Sequence, residues 1–121
     1  NPWESELLGW YGLAAGFDGM LRWAYNSYPK DPAYDSRFSG FPSGDSYFVY
    51  PYGRSSIRME KLMEGIQNVE KVRLLREADP AKVKDIDAIL AEMMTMNILD
   101  PQQPWLDITC RARKALDEAS R

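Results

Sequence analysis

An indole and a carboxamide stand three positions apart in the segment GMLRWAYN, at Trp23 and Asn26. An indole can stack on the apolar face of a sugar ring, and an amide can both donate to and accept from its hydroxyls. Tyr25 lies between them, and Tyr50 closes the later segment SYFVY, so two more rings with polar edges are within reach of the same chemistry. Asp45, just ahead of that segment, could hold a pair of hydroxyls. Each residue also has a plain structural reading: Trp23 as core, Asn26 as a turn residue, Asp45 as a turn cap.

Groups able to break bonds are scarcer. The chain has no histidine, which removes the commonest general base and the commonest metal ligand. Its one adjacent Asp-Glu pair, Asp117-Glu118, falls near the end of the last helical stretch and reads as solvated surface. Glu60 and Glu64, four residues apart, share a helix face; beside Arg58 and Lys61 they read as a charged outer face more simply than as a working pair. Arg54 and the N–H groups of Ser55 to Ile57 form a positive helix entrance, but no glycine-rich phosphate loop accompanies it, so a cap or salt bridge is the simpler reading. Cys110 sits near Arg111 and Arg113 without a base. No catalytic residue, metal or cofactor is therefore assigned.

These side chains need elements to position them. Trp3 to Ala15 carries Trp3, Leu7, Trp10, Tyr11 and Ala14 at helical spacing and ends at Gly16. GMLRWAY alternates like a strand, Tyr28 to Ser43 is a proline-rich loop, and SYFVY is a second short strand ended by Pro51. Strand alternation would send Tyr47 and Tyr50 to opposite sides. Ser55 or Ser56 then caps a helix with Met59, Leu62, Met63, Ile66, Val69, Val72 and Leu75 on one stripe. Asp79-Pro80 and Asp100-Pro101 are two further helix starts; Val83, Ile86, Leu90 and Met93 face inward after the first, which ends near Asn97, and Trp105, Ile108, Ala112, Leu116 and Ala119 after the second. Met59, Met63, Met93, Met94 and Met96 read as core filler at helical spacing, with a partner-binding surface as the alternative.

The chain thus divides into an aromatic, loop-rich head with two short strands, 1–54, and a three-helix tail, 55–121, together one unit of 121 residues. Of fifteen aromatic residues, only Trp105 lies beyond Tyr52. With 45% hydrophobic and 27% charged residues the composition is globular, and a net charge of −3 argues against a nucleic-acid footprint. No stretch is long enough to span a membrane, and the lone cysteine excludes an internal disulfide while leaving the redox compartment open. Strand–helix order suggests parallel strands, yet two short strands cannot shelter this many rings. A fragment, or a protomer that completes itself with a copy, is the expectation.

The order GFDGMLRWAYNSY, DP, GDSYFVYP and SSIRMEKLMEGIQNVEKVRLL resembles the C-terminal part of glycoside hydrolase family 123 and the related domain-of-unknown-function family 4091, over roughly Glu4 to Arg76. One departure is Asn68, where an aspartate would follow GIQ. The resemblance implies an α/β fold: the last two strands of an eight-stranded α/β barrel, GMLRWAYN and SYFVYP, with a helical tail, mostly helical as an isolated chain. It implies hydrolysis of terminal N-acetylgalactosaminides, with the substrate's own acetamide as nucleophile and an adjacent Asp-Glu pair as helper, on an earlier strand than this chain contains. Trp23, Asn26, Tyr25, Tyr50 and Asp45 would then line a substrate wall for an N-acetylhexosamine-containing glycan. The chain alone would be inactive, and would form a homo-oligomer or dock on the missing N-terminal part. Two other readings stay open: a non-enzymatic helical interaction module, and a carbohydrate-binding module using Trp3, Trp10 or Trp23 as platforms.

Overall fold

A computed structural model describes residues 2–37, 41 and 46–121. Its regular elements are helices α1 (Trp3–Ala15), α2 (Ile57–Ala78), α3 (Lys84–Met93) and α4 (Trp105–Ala119). A tight turn, Pro51–Gly53, precedes α2, and a 3₁₀ turn, Pro80–Val83, leads into α3. α1 lies principally against α2 and also touches α3 and α4. One core joins all four helices: Leu7 and Trp10 of α1, Val72 of α2, Ile86, Leu90 and Met93 of α3, and Trp105, Ile108, Ala112 and Leu116 of α4, with Val83 from the 3₁₀ turn.

Local signals set most of the helix ends. Gly16 takes a left-handed backbone (φ 71°), and the N–H groups of Gly16 and Phe17 return to the carbonyls of Leu13 and Gly12. The Ser56 hydroxyl accepts from the Met59 N–H at 3.1 Å, leaving Ser55 free to donate to Glu60. Asp79 accepts from the Ala81 N–H at 3.0 Å and opens the 3₁₀ turn. The Asp100-Pro101 start is corrected by four residues. Asp100 accepts from the Gln102 N–H and the Gln103 amide, so its carboxylate closes a turn, and α4 begins only after Pro104. α3 stops at Met93, and Asn97 lies in the turn beyond it, accepting from the Leu99 N–H.

The barrel-fragment expectation is overturned. Among the described residues there is no strand, only two isolated antiparallel bridges, Asn26↔Tyr47 and Tyr50↔Arg54. The parallel pairing implied by the element order is absent from them. Alternation in GMLRWAY is a real pattern, but a strand forms only where its N–H and C=O groups find a neighbouring chain. Here the segment meets such a neighbour only at its end, and Leu21 is 97% exposed.

The inward face of α2 also differs from the expected stripe. Leu62, Gly65, Asn68 and Val72 are buried, whereas Met63 and Ile66 are exposed. The cause is a backbone-to-backbone crossing with α1. A Cβ on Gly65 would lie 2.8 Å from the Glu6 carbonyl oxygen, and one on Gly9 would lie 2.7 Å from that of Gly65. Only glycine permits that approach.

Beside the crossing, the Glu6 side chain is fully buried. It accepts from Trp10 Nε1 at 3.3 Å and from Arg113 of α4 through Nε at 3.0 Å and a second guanidinium nitrogen, with Lys61 Nζ of α2 at 3.7 Å. Lys61 also meets Glu64 at 2.5 Å, and Arg113 approaches Glu64 at 3.5 Å. Two cations and two carboxylates thus neutralise one another and tie three helices together. The Glu6 carboxylate holds the Arg113 guanidinium still further above its ordinary pKa. Glu64 therefore belongs to this cluster rather than to a plain outer face. Such a cluster contributes more to fixing one arrangement than to net stability, because desolvation offsets much of the attraction.

The crossing makes a test that turns on sign. In an ordinary helix interior, Gly→Ala stabilises by about 1 kcal/mol. Gly65→Ala should instead destabilise by about 2 kcal/mol in chemical denaturation, because backbone must move to admit the methyl. Gly12→Ala, whose added carbon meets nothing within 4 Å, should show the ordinary gain.

Candidate functional site

The first turn of α2 carries the head. Ser56, buried, donates its hydroxyl to the Phe48 carbonyl, and Arg58 donates to the Tyr47 carbonyl at 2.9 Å. The Arg58 guanidinium also lies over the Tyr47 ring, 5.0 Å from its centroid. Segment 46–48 in turn holds segment 25–27 antiparallel: Ser27 N–H donates to the Ser46 carbonyl at 3.0 Å and Phe48 N–H to the Tyr25 carbonyl at 2.8 Å. Ser46, Tyr47 and Phe48 are all buried, and Arg22 lies 5.7 Å over the Phe48 ring. What hangs from this support are the candidate rings.

Trp23 is 54% exposed and its ring sits 4.7 Å from that of Phe41, tilted by 40°. Tyr25 is 52% exposed although its backbone is paired, and Asn26 is exposed at the bridge to Tyr47. These three neighbours in sequence therefore present side chains to solvent from one anchored segment. Tyr50 is half-buried and packs edge-on against Tyr47 at 5.4 Å, while Tyr28 meets the same ring at 5.7 Å. The opposite facing expected of Tyr47 and Tyr50 does not occur, because without a strand their three-residue spacing brings the rings together. Asp45 lies outside the described residues. Among the platforms weighed for a binding module, Trp10 is fully buried against the core and cannot receive a ligand.

Several supporting residues escaped sequence reasoning. Phe41 carries no motif, Phe48 reads only as part of the SYFVY segment, and Arg58 only as an outer-face charge. Their roles depend on contacts across ten or more positions, which no local pattern reports. The SYFVY composition was the only available hint that this segment is sheltered.

Apart from the aromatic segment, a half-open cleft of about 780 Å³ runs between α1, α2 and residues 17–21, walled by Leu8, Phe17, Met20, Leu21, Leu62 and Ile66. Its lining is overwhelmingly apolar, and it includes none of the candidate site residues. A sugar needs polar partners for its hydroxyls beside a stacking face; the aromatic segment offers both within one short stretch, whereas Tyr11, Asp18 and Glu70 are the polar members of an otherwise apolar cleft. Asp117-Glu118 is exposed at the end of α4. No cluster of metal-ligating side chains exists among the described residues, and no helix there is long and apolar enough to cross a membrane.

Burial raises the pKa of the Tyr47 phenol above its ordinary value, with the neighbouring Tyr50 adding to the shift and Arg58 opposing it. The fold therefore keeps this proton after an unfolded chain has lost it. The resulting contribution to stability is complete below about pH 10 and is lost as pH rises through the folded-state value. In a near-ultraviolet absorbance titration one tyrosine should ionise after the others, and Tyr47→Phe should remove that late phase. Its hydroxyl makes a long bond to the Pro32 carbonyl at 3.4 Å and also meets the Tyr50 and Arg58 side chains, so Tyr47→Phe should lower the neutral-pH melt only modestly.

Residues 1–75 match the family model described as Glycoside hydrolase 123, catalytic domain. That span takes in α1, the aromatic segments and most of α2, and the chain belongs to this family. No curated protein matches it.

Proposed function

We propose that this member of the glycoside hydrolase family contributes part of the wall of a sugar-binding site for an N-acetylhexosamine-containing glycan, and that it does not itself supply the acid and base. The observation that carries this is the anchored segment Trp23–Asn26. Two half-exposed aromatic rings and an exposed amide stand on a backbone pinned to the start of α2. Trp23 stacks on the sugar's apolar face while Asn26 and the Tyr25 hydroxyl take hydroxyl or acetamide groups. Tyr50 supports that wall through Tyr47, and Asp45 remains a candidate hydroxyl ligand.

The chemistry of bond cleavage calls for a general acid beside the leaving oxygen and a group that stabilises the acetamide. Asp117-Glu118 is the sequence's only adjacent pair of the right type, and it lies exposed in the last turn of α4. Polypeptide other than these residues is therefore the proposed source of the acid/base pair. Family membership supports the carbohydrate; the choice of N-acetylhexosamine rests on the sequence resemblance alone.

Titration with N-acetylhexosamine-terminated oligosaccharides should shift the tryptophan fluorescence, and Trp23→Ala should abolish the shift and weaken binding about five-fold. An aryl N-acetylhexosaminide should not be hydrolysed by the chain. Fluorescence unmoved at millimolar sugar would remove the wall, and turnover by the chain would remove the division of labour.

A further inference from the structure

Tyr52 is the only residue other than glycine with a left-handed backbone among those described, at φ 64° and ψ 29°. Gly53 follows at φ 72°. Turns that need two such positions in succession are normally filled by Asn-Gly, Asp-Gly or Gly-Gly, and a bulky aromatic in the first of them is an outlier. Nothing within the fold offsets the strain, because Tyr52 is 98% exposed.

The strain is held by a fixed frame. Tyr50 and Arg54 form an antiparallel bridge closed by a 2.7 Å bond from the Tyr50 N–H to the Arg54 carbonyl, and Pro51 restricts the backbone ahead of Tyr52. Below the turn, Tyr50 packs on Tyr47, which lies under Arg58. A ring standing out from so firm a backbone presents an apolar surface whose binding need order only two side-chain torsions. Strained backbone without an internal contact to repay it points to an external one.

We infer that Tyr52 is a stacking platform for a pyranose ring, a sugar-binding position in addition to the Trp23–Asn26 segment. The inference rests on the carbohydrate reading above. A single aromatic face flanked by exposed Arg54 and Ser55 fits a ring with one apolar face and a rim of hydroxyls. A protein partner would call for a continuous apolar patch, and the adjacent Gly53, Arg54 and Ser55 do not form one.

The test compares the wild-type protein with Tyr52→Asn, Tyr52→Phe and Trp23→Ala on an array of N-acetylhexosamine-terminated oligosaccharides, with a thermal melt of each. Asparagine tolerates the left-handed backbone, so Tyr52→Asn should melt roughly 2–4 °C higher. The same substitution should bind about three- to ten-fold more weakly, and Tyr52→Phe should stay within about two-fold of wild type. A lower melt for Tyr52→Asn would mean the ring packs internally, and an equal loss in Tyr52→Phe would mean the hydroxyl rather than the face is used; either overturns the platform. Unchanged binding in Tyr52→Asn alongside a loss in Trp23→Ala overturns the platform and leaves the carbohydrate reading standing. No glycan bound by the wild type overturns both.

Discussion

Two glycines meeting face to face set the position of everything else. Where Gly9 of α1 crosses Gly65 of α2 there is no room for a methyl on either side, so the helices touch through their backbones. That approach turns α2 about its axis, which brings Asn68 inward and leaves Met63 and Ile66 outward. It also seals Glu6 from water, and the sealed carboxylate draws Lys61 and Arg113 onto it, adding α4 to the joint. From the fixed α2 the dependence runs through Ser56 and Arg58 to segment 46–48, then to segment 25–27, and so to Trp23 and Tyr25. A shift of α2 would move the aromatic segment with it.

Two kinds of surface follow from this construction. The helical core joins all four helices and asks nothing of the aromatic segments, which attach through hydrogen bonds and ring contacts instead. Tyr47 and Phe48 are buried at that attachment, while Trp23 and Tyr25 stay half in solvent, as a stacking surface requires. The cleft between α1 and α2 is the converse case, roomy and lined mainly by apolar side chains.

Sequence patterns located what is local. Trp3, Leu7 and Trp10 with Gly16 marked the span of α1, the Ser55-Ser56 pair held the cap of α2, which falls to Ser56, and Asp79-Pro80 marked the entry to α3. Asp100-Pro101 carried the same pair of residues and failed, because its carboxylate closed a turn and the helix began four residues later. The two strands failed for a different reason: alternation reports which side chains could share a face, while a strand exists only when another backbone lies beside it. The α2 stripe was misread since a glycine contributes no apolar signal, yet Gly65 decides which face goes in. In the site, Trp23, Tyr25, Asn26 and Tyr50 could be chosen by side-chain type. Arg58 and Phe48 could not, because what makes them matter is contact with residues far away in the chain.

The crossing is best examined by nuclear magnetic resonance on the glycine-labelled protein. Through-space cross-peaks are expected between the α-protons of Gly9 and Gly65, and between those of Gly65 and Glu6. If both glycines are assigned and each shows cross-peaks only within its own helix, the two backbones do not touch, and the chain of support from α1 to the aromatic segment loses its first member.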